Sequence, residues 1–549
     1  QVAIMSLKTP IEMLYEQASK HPDSVYLTQP NNGQLTTYTW KQTEDMVRRV
    51  ATGLKQLELP EGSHIGLLSK NCAEWFIADL AIMLAGYISI PIFPTAGEKT
   101  IGYVLNHAGC KAMFFGKLDN SEDQAKAVPD DVITIGFPYA GADTNKTWQD
   151  MMDCEPFTGS PTPSLDDVMT IIYTSGSTGS PKGVVHTYRA LSWSGSASLD
   201  ALTVTSDDRI LSYLPLAHIT ERVLVEVASL YSGMQIFFLE SLDTFKRDVC
   251  ACSPTLFISV PRLWTRFQMG VLSQMPQKKL DRMLSIPIIG GMVAKKIRKG
   301  LGLNDARLWA SGSAPISPAT IHWFNKIGID ISEGWGMTEN CAYGTSSVPF
   351  RKDKIGCIGK AYDGVDIRIA EDGEIQVKGL CNMKEYYLEP EKTAEVFTED
   401  MYLRTGDKGE IDADGYVKIT GRLKDIFKTS KGKYVAPVPI ESKLMENALI
   451  EQVCVTGNNL KQPIALLVLS EDAAKQDVAE LTSSLANTLA QVNSSLESHS
   501  VLDHLIVMPE GWTVENELLT PTLKVKRHVL EDKYGDVIAA RYSEKVVHL

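Results

Sequence analysis

Residues 173–184, Tyr-Thr-Ser-Gly-Ser-Thr-Gly-Ser-Pro-Lys-Gly-Val, carry the strongest chemical signal in the chain. Gly176, Gly179 and Gly183 let the backbone turn tightly and come close to a ligand. Thr174, Ser175, Ser177 and Thr178 offer hydroxyl donors to phosphate oxygens, and Lys182 adds a point charge. Successive backbone N–H groups in such a loop form an anion nest. The spacing is not Walker A, because Pro181 precedes the lysine and Gly183 follows it. The loop follows an apolar strand at 168–173 and precedes a helix expected near Thr187. A flexible Ser/Gly linker is the bland reading, but strand placement, hydroxyl density and the closing lysine coincide here.

The segment resembles the phosphate-binding signature of the adenylate-forming (AMP-binding) superfamily, which includes acyl-CoA synthetases, peptide-synthetase adenylation domains and beetle luciferases. The remaining motifs follow in order, from this loop to Arg527. Residues 214–222 (LPLAHITER) resemble the second motif, which implies His218 beside the acid carboxylate; alone, His218 would read as a structural histidine. Gly312, Ser313, Ala314 and Pro315 resemble the loop that packs along adenine. In 333–339 (EGWGMTE) the resemblance implies Glu333 near the adenine amino group, Gly334 and Trp335 against the ring, Thr338 at the α-phosphate and Glu339 on Mg²⁺. Trp335 replaces the commoner tyrosine; it can stack, but it lacks the phenol hydroxyl. One carboxylate suits Mg²⁺, which keeps waters and phosphate oxygens as its other ligands.

Residues 402–407 (YLRTGD) imply that Asp407 accepts hydrogen bonds from both ribose hydroxyls. In 421–428 (GRLKDIFK) Arg422 would reach ribose or phosphate, and Lys424 matches the hinge between two domains. Lys428, Gly432 and Lys433 match the CoA or thioester-forming region. Residues 521–527 (PTLKVKR) resemble the catalytic-lysine motif. Leu523 stands where the family has glycine, so the assignment to Lys524 is favoured and Lys526 stays open.

The resemblance implies two half-reactions. A carboxylate attacks the α-phosphorus of ATP, pyrophosphate leaves, and a thiol then takes the acyl group from the adenylate. No general base is needed, because a carboxylate is ionised at neutral pH. ATP, Mg²⁺ and CoA are the implied cofactor set. Residues 260–264 (VPRLW) resemble long-chain fatty acyl-CoA synthetases, in which the tryptophan gates an acyl tunnel; Trp264 is equally readable as a core aromatic. The expected activity is therefore long-chain fatty acid–CoA ligation. A ligase delivering acyl or aryl groups to a carrier-protein thiol, and a non-catalytic nucleotide-binding regulator, remain alternatives.

The elements that must hold these residues follow from the wider pattern. The 549 residues suggest about three or four domain-sized units. The 54 basic against 67 acidic residues give −13, which argues against nucleic acid as the main partner. Nine cysteines, the closest pair being Cys250 and Cys252, read as buried thiols rather than a disulfide or zinc framework. No signal peptide is visible at 1–11, and the most apolar stretch, 76–93, is broken by Asp79, Gly86 and Pro91. It reads as a buried helix at 74–85 and a strand at 87–92. The expectation is a cytoplasmic protein, free or peripheral to the inner face of a membrane, with no amphipathic basic helix evident and oligomeric state unassigned.

Short apolar runs alternate with helical patterns at 41–56, 64–69, 209–213, 234–239, 255–260, 306–310 and 328–332. Turn signals crowd 345–420 and predict a compact antiparallel β unit. Strands near 451–456 and 463–469 and a helix near 474–496 follow. The expected class is α/β: a large domain, 1–420, of two covered α/β sheets plus the β unit, then a mobile α+β lid, 421–549, carrying Lys524.

Overall fold

The computed structural model describes residues 6–139, 141–174 and 180–549. The longest apolar stretch resolves as expected. The helix Ala73–Leu84 is buried on every side, and the strand Ile88–Ile92 follows it. That strand is the core of an eight-stranded sheet in which His64–Leu68, Ala112–Phe115 and Ile133–Gly136 run parallel. Val168–Thr174 also runs parallel to Ile88–Ile92, with only its ends less than buried, so its sequence VMTIIY is apolar on both faces.

Lys182–Thr187 then turns back antiparallel to Val168–Thr174. The helix expected near Thr187 is present as Tyr188–Leu202, with Thr187 as its N-cap, but the strand before it was not expected. The run KGVVHT was too short and too close to the loop to stand out.

The second sheet has nine strands. Val25–Asn31, Gln235–Phe238, Arg209–Ser212, Leu256–Ser259, Leu308–Ser311 and Ile331–Trp335 form its parallel part. The last strand starts three residues later than expected, so it carries Glu333 and Trp335. Thr345–Ser346 and Lys360–Ala361 extend this sheet antiparallel, and the separate four-stranded antiparallel sheet begins only at Asp366–Ile369. Its strands Leu403–Ile411 and Val417–Arg422 hold Asp407 opposite Arg422. The C-terminal sheet joins Ile450–Thr456, Ile464–Leu469, Leu505–Val507 and Val546–His548, with the helix Val478–Ser494 beside it.

A buried ion cluster ties the two large sheets. Asp79, on the fully buried helix, needs a partner because an isolated carboxylate is costly away from water. Arg222 supplies it, with Nη2 2.8 Å from Asp79 Oδ1 and Nε 2.7 Å from Glu226 Oε1. The same guanidinium donates to Ser89 Oγ at 3.0 Å and Thr170 Oγ1 at 3.3 Å. Arg222–Val227 is π-helical, an irregularity that accompanies functional sites. We expect Arg222→Leu to lower unfolding stability by about 3–5 kcal/mol, because it strands a buried charge. Glu226→Gln, which keeps the acceptor, should lose far less. Equal losses in urea titrations would contradict this account.

Candidate active site

The two antiparallel strands after Thr170 bring Thr174 opposite Lys182 across the mouth of the phosphate loop. Ser175, Gly176, Ser177, Thr178 and Gly179 lie outside the described residues. Lys182 is half-buried, with Nζ 4.5 Å above the Tyr386 ring. Burial draws its pKa down and nearby Lys424 adds to that, while Glu339 opposes it. Tyr386 lies on Glu385–Tyr386, which pairs with the strand carrying Lys182, and its hydroxyl donates to Glu339 Oε2 at 2.9 Å. Glu339 Oε1 accepts no hydrogen bond among the described residues. A hard carboxylate near Lys182 suits Mg²⁺ held jointly with phosphate oxygens.

The 3₁₀ turn Thr338–Asn340 holds Glu339. It is pinned by a residue that carried no motif signal. His186 is fully buried, and its Nε2 donates to the Thr338 carbonyl at 2.7 Å. Burial draws its pKa to about 4, so the ring is neutral and the proton sits on Nε2. Met383 N also donates to the Glu339 carbonyl at 2.7 Å. Only the three-dimensional pairing reveals His186 and Tyr386; neither has diagnostic spacing.

Trp335 lies on the strand Ile331–Trp335 with its ring over Gly344, where a Cβ would stand only 2.4 Å from the indole. Glycine there makes room for the larger ring. The indole Nε1 donates to Asp407 Oδ2 at 3.0 Å. The adenine-stacking and ribose-binding candidates are thus linked directly, which a tyrosine in the resembling motif did not suggest. Glu333, on the same strand, is buried, and burial raises its pKa to about 8. Gly312 lies across from Gly334, and Ser313 takes a φ of 69° before the exposed Ala314 and Pro315.

His218 caps a short helix, its Nδ1 accepting from Thr220 N at 3.2 Å. Burial and the charge of Lys524 draw its pKa to about 4. Lys524 is exposed along the cleft, yet surrounding protein and Arg422 draw its pKa down, while Asp407 and Glu339 oppose the shift. In this segment the charge that reaches His218 and Asp407 is that of Lys524. Leu523 takes φ 64°, the left-handed region that favours glycine. Thr520 Oγ1 accepts from Lys524 N at 3.0 Å, and Arg527 anchors the segment through paired 2.9 Å bonds to Glu441.

Lys182, His218, Glu339, Asp407, Arg422, Lys424 and Lys524 therefore converge. Lys428, Gly432 and Lys433 do not. They lie exposed on a small hairpin, where Phe427–Lys428 pairs with Tyr434–Val435. Trp264 is fully buried, wedged edge-on against Phe257, Phe267 and Phe324.

The AMP-binding enzyme family matches residues 14–387, and the AMP-binding enzyme C-terminal domain matches 424–546. The long-chain-fatty-acid–CoA ligase FadD15 of Mycobacterium tuberculosis is 27% identical over 585 residues, spanning 97% of both chains. Fatty acyl-CoA synthetase A of Dictyostelium discoideum is 28% identical over 93% of this chain and 87% of its own. The A domain of carboxylic acid reductase from Segniliparus rugosus, solved with AMP and a co-purified carboxylic acid, superposes with a TM-score of 0.82. It covers 98% of this chain and 95% of its own at 21% identity, a likeness of fold.

Two outcomes follow from the geometry. Trp335→Phe keeps a ring but removes the donor to Asp407; hydrogen bonds to charged groups contribute about 1.5–3 kcal/mol, so the KM for ATP should rise roughly ten-fold or more. An unchanged KM would show that the indole N–H is irrelevant. A group with a lowered pKa loses its proton earlier as pH rises. The rate should therefore fall on the alkaline side below the usual lysine range, and Lys524→Arg should move or remove that limb. His218 is neutral above about pH 5, so it should add no acidic limb there.

Proposed function

Because this chain belongs to the AMP-binding enzymes, which activate carboxylic acids as acyl-adenylates, we propose that it is a long-chain fatty acid–CoA ligase. The observation that carries the reading is the convergence of Lys524, Arg422, Lys182, Asp407 and Glu339 on one cleft beside His218. The near full-length likeness to long-chain ligases supports the fatty-acid part.

In this reading the acid carboxylate lies by neutral His218, which adds no charge that would repel or trap it. The carboxylate oxygen attacks the α-phosphorus, the bond to the bridging oxygen breaks, and pyrophosphate leaves with that electron pair. Negative charge on the α-phosphoryl oxygens is met by Lys524 and by donors of the Thr338 turn, which are fixed before reaction. Asp407, oriented by Trp335, takes the ribose hydroxyls, and Arg422 opposite it adds a cation. The loop Thr174–Lys182 cradles the departing phosphates. Mg²⁺ held by Glu339 would screen phosphate charge when bound.

The second half-reaction needs a thiol at the acyl carbon. The segment from residue 421 onward would rotate about Lys424, withdrawing Lys524 and bringing the hairpin of Lys428, Gly432 and Lys433 toward CoA. The thiolate sulfur then bonds the acyl carbon and AMP leaves with its phosphate oxygen. Trp264, at the start of the helix Pro261–Gln274, is proposed as the gate of an acyl tunnel lined by its aromatic neighbours. A tunnel selects chain length steeply, since each buried methylene contributes about 0.8 kcal/mol.

Pyrophosphate release should be measured across acids from acetate to palmitate and benzoate, with and without CoA. Release with palmitate-like acids, and acyl-CoA only when CoA is added, is expected. Release with benzoates alone, or no CoA product, would replace the fatty acid–CoA reading with an aryl or carrier-protein one; no release with any acid would favour a regulator. Lys524→Ala should abolish adenylation while sparing thioester formation from supplied acyl-AMP. Unchanged adenylation would move the role to Lys526.

A further inference from the structure

Residues 277–300 hold seven lysines or arginines against a single aspartate, a net +6 in a chain of net −13. They form two packed helices, Gln277–Leu284 and Ile289–Gly300. Lys278, Lys279, Arg282, Lys295, Lys296 and Lys299 are all exposed, and among the described residues none makes an ion pair. Between the helices the chain displays bare aliphatic side chains. Ile288 is 84% exposed and Met292 67%, with Ile286 and Ile289 beside them at 40% and 44%. Elsewhere the described large exposed apolar residues are scattered, and scattered ones need no explanation.

The backbone at the tip is strained. Ile288 has φ 71° and ψ −53°, and Ile289 N donates to Pro287 O at 2.8 Å, closing a three-residue turn. This conformation is rare and costly for a β-branched residue. Glycine would relieve it, yet the position holds a large aliphatic group.

We propose that this helical pair is a docking surface for anionic lipid membranes. An aliphatic tip ringed by cations is the pattern of an element that lies in the headgroup region. Lysine near such a surface is attracted by anionic headgroups, whereas lysine is depleted in protein–protein interfaces, whose anchors are aromatic residues and arginine. Five of the six free cations are lysine, and the tip has no aromatic residue. No described helix is long and apolar enough to cross a membrane, so the contact is one of surface insertion.

The inner faces of the two helices, Leu280 and Ala294 with Leu284, Val293 and Ile297, pack into the apolar cluster that contains Trp264. A docked bilayer would therefore lie against the same cluster that bears the proposed acyl gate. The surface itself is read without reference to the acid, and its test uses no turnover.

The full chain should be floated with phosphatidylcholine vesicles, with and without phosphatidylglycerol, at low and high salt. Capture by the anionic vesicles, weakened by salt, is expected. Lys295→Glu with Lys296→Glu, and separately Ile288→Ser with Met292→Ser, should each cut capture by about ten-fold or more. Both variants should keep wild-type melting and ATP-dependent activation of a water-soluble acid. Equal capture by neutral vesicles, or capture unchanged in both variants, would overturn the proposal. If only the charge variant mattered, the patch would be an electrostatic site for an acidic macromolecule and the membrane assignment would fall.

Discussion

Asp79 and Arg222 are charges that cannot reach water, and the relation of the two large sheets depends on their pairing. Asp79 sits on a helix buried all round; Arg222 follows the strand Arg209–Ser212 of the other sheet. Two carboxyls face one guanidinium. Burial and the neighbouring Asp79 push Glu226 well above the usual carboxylate range, while Arg222 opposes the shift. Asp79 Oδ2 and Glu226 Oε2 are both buried and have no hydrogen-bond partner among the described residues. The guanidinium also grips Ser89 and Thr170, on adjacent strands of the eight-stranded sheet. Arg222 is four residues after His218, and Thr170 is on the strand that leads to the phosphate loop. Fixing one side chain thus ties the segment that carries His218 to the strand that ends at Thr174.

The cleft above this cluster is electrostatically incomplete. Lys182, Lys424, Arg422 and Lys524 face two carboxylates, Glu339 and Asp407. Burial draws both Lys182 and Lys524 down, and the neighbouring cations add to it, Lys424 at Lys182 and Arg422 at Lys524. Cations held together against mutual repulsion gain most when a polyanion arrives. They also need no rearrangement at the moment charge develops. Neutral His186 and His218 fit the same design, since burial keeps both uncharged and neither adds to the repulsion.

The parts of this design differ in how far the sequence reveals them. Strands such as Val168–Thr174 and the helix Ala73–Leu84 are legible because burial on both faces demands unbroken apolar runs. The motif residues are legible because phosphate and ribose recognition restricts residue type at fixed spacing. Partners reached through folding are not. His186 and Tyr386 act on Thr338 and Glu339 across 152 and 47 residues, and nothing local marks them. The strand Lys182–Thr187 is hidden by the loop it follows. The basic helical pair at 277–300 is hidden differently: its isoleucines look like core in a sequence, and only their exposure shows that they are not.

Two departures from the resembling motifs show how far geometry outlasts identity. Trp335 is larger than the common tyrosine and loses its hydroxyl, yet Gly344 leaves room for the ring and the indole N–H binds Asp407. Leu523 replaces a glycine, yet its backbone keeps the left-handed conformation that glycine would adopt freely. That conformation costs a non-glycine residue about 1–2 kcal/mol. It is held by hydrogen bonds in both directions between Thr520 and Lys524, and by Arg527 clamped to Glu441 beyond them. The side chain of Leu523 is 55% exposed, so no packing of its own compensates the strain. What the fold preserves at this point is the turn that aims Lys524 at Asp407 and Glu339. A strained residue at its apex is one that only the surrounding hydrogen bonds keep in place, which suits the proposal that Lys524 withdraws after the first half-reaction.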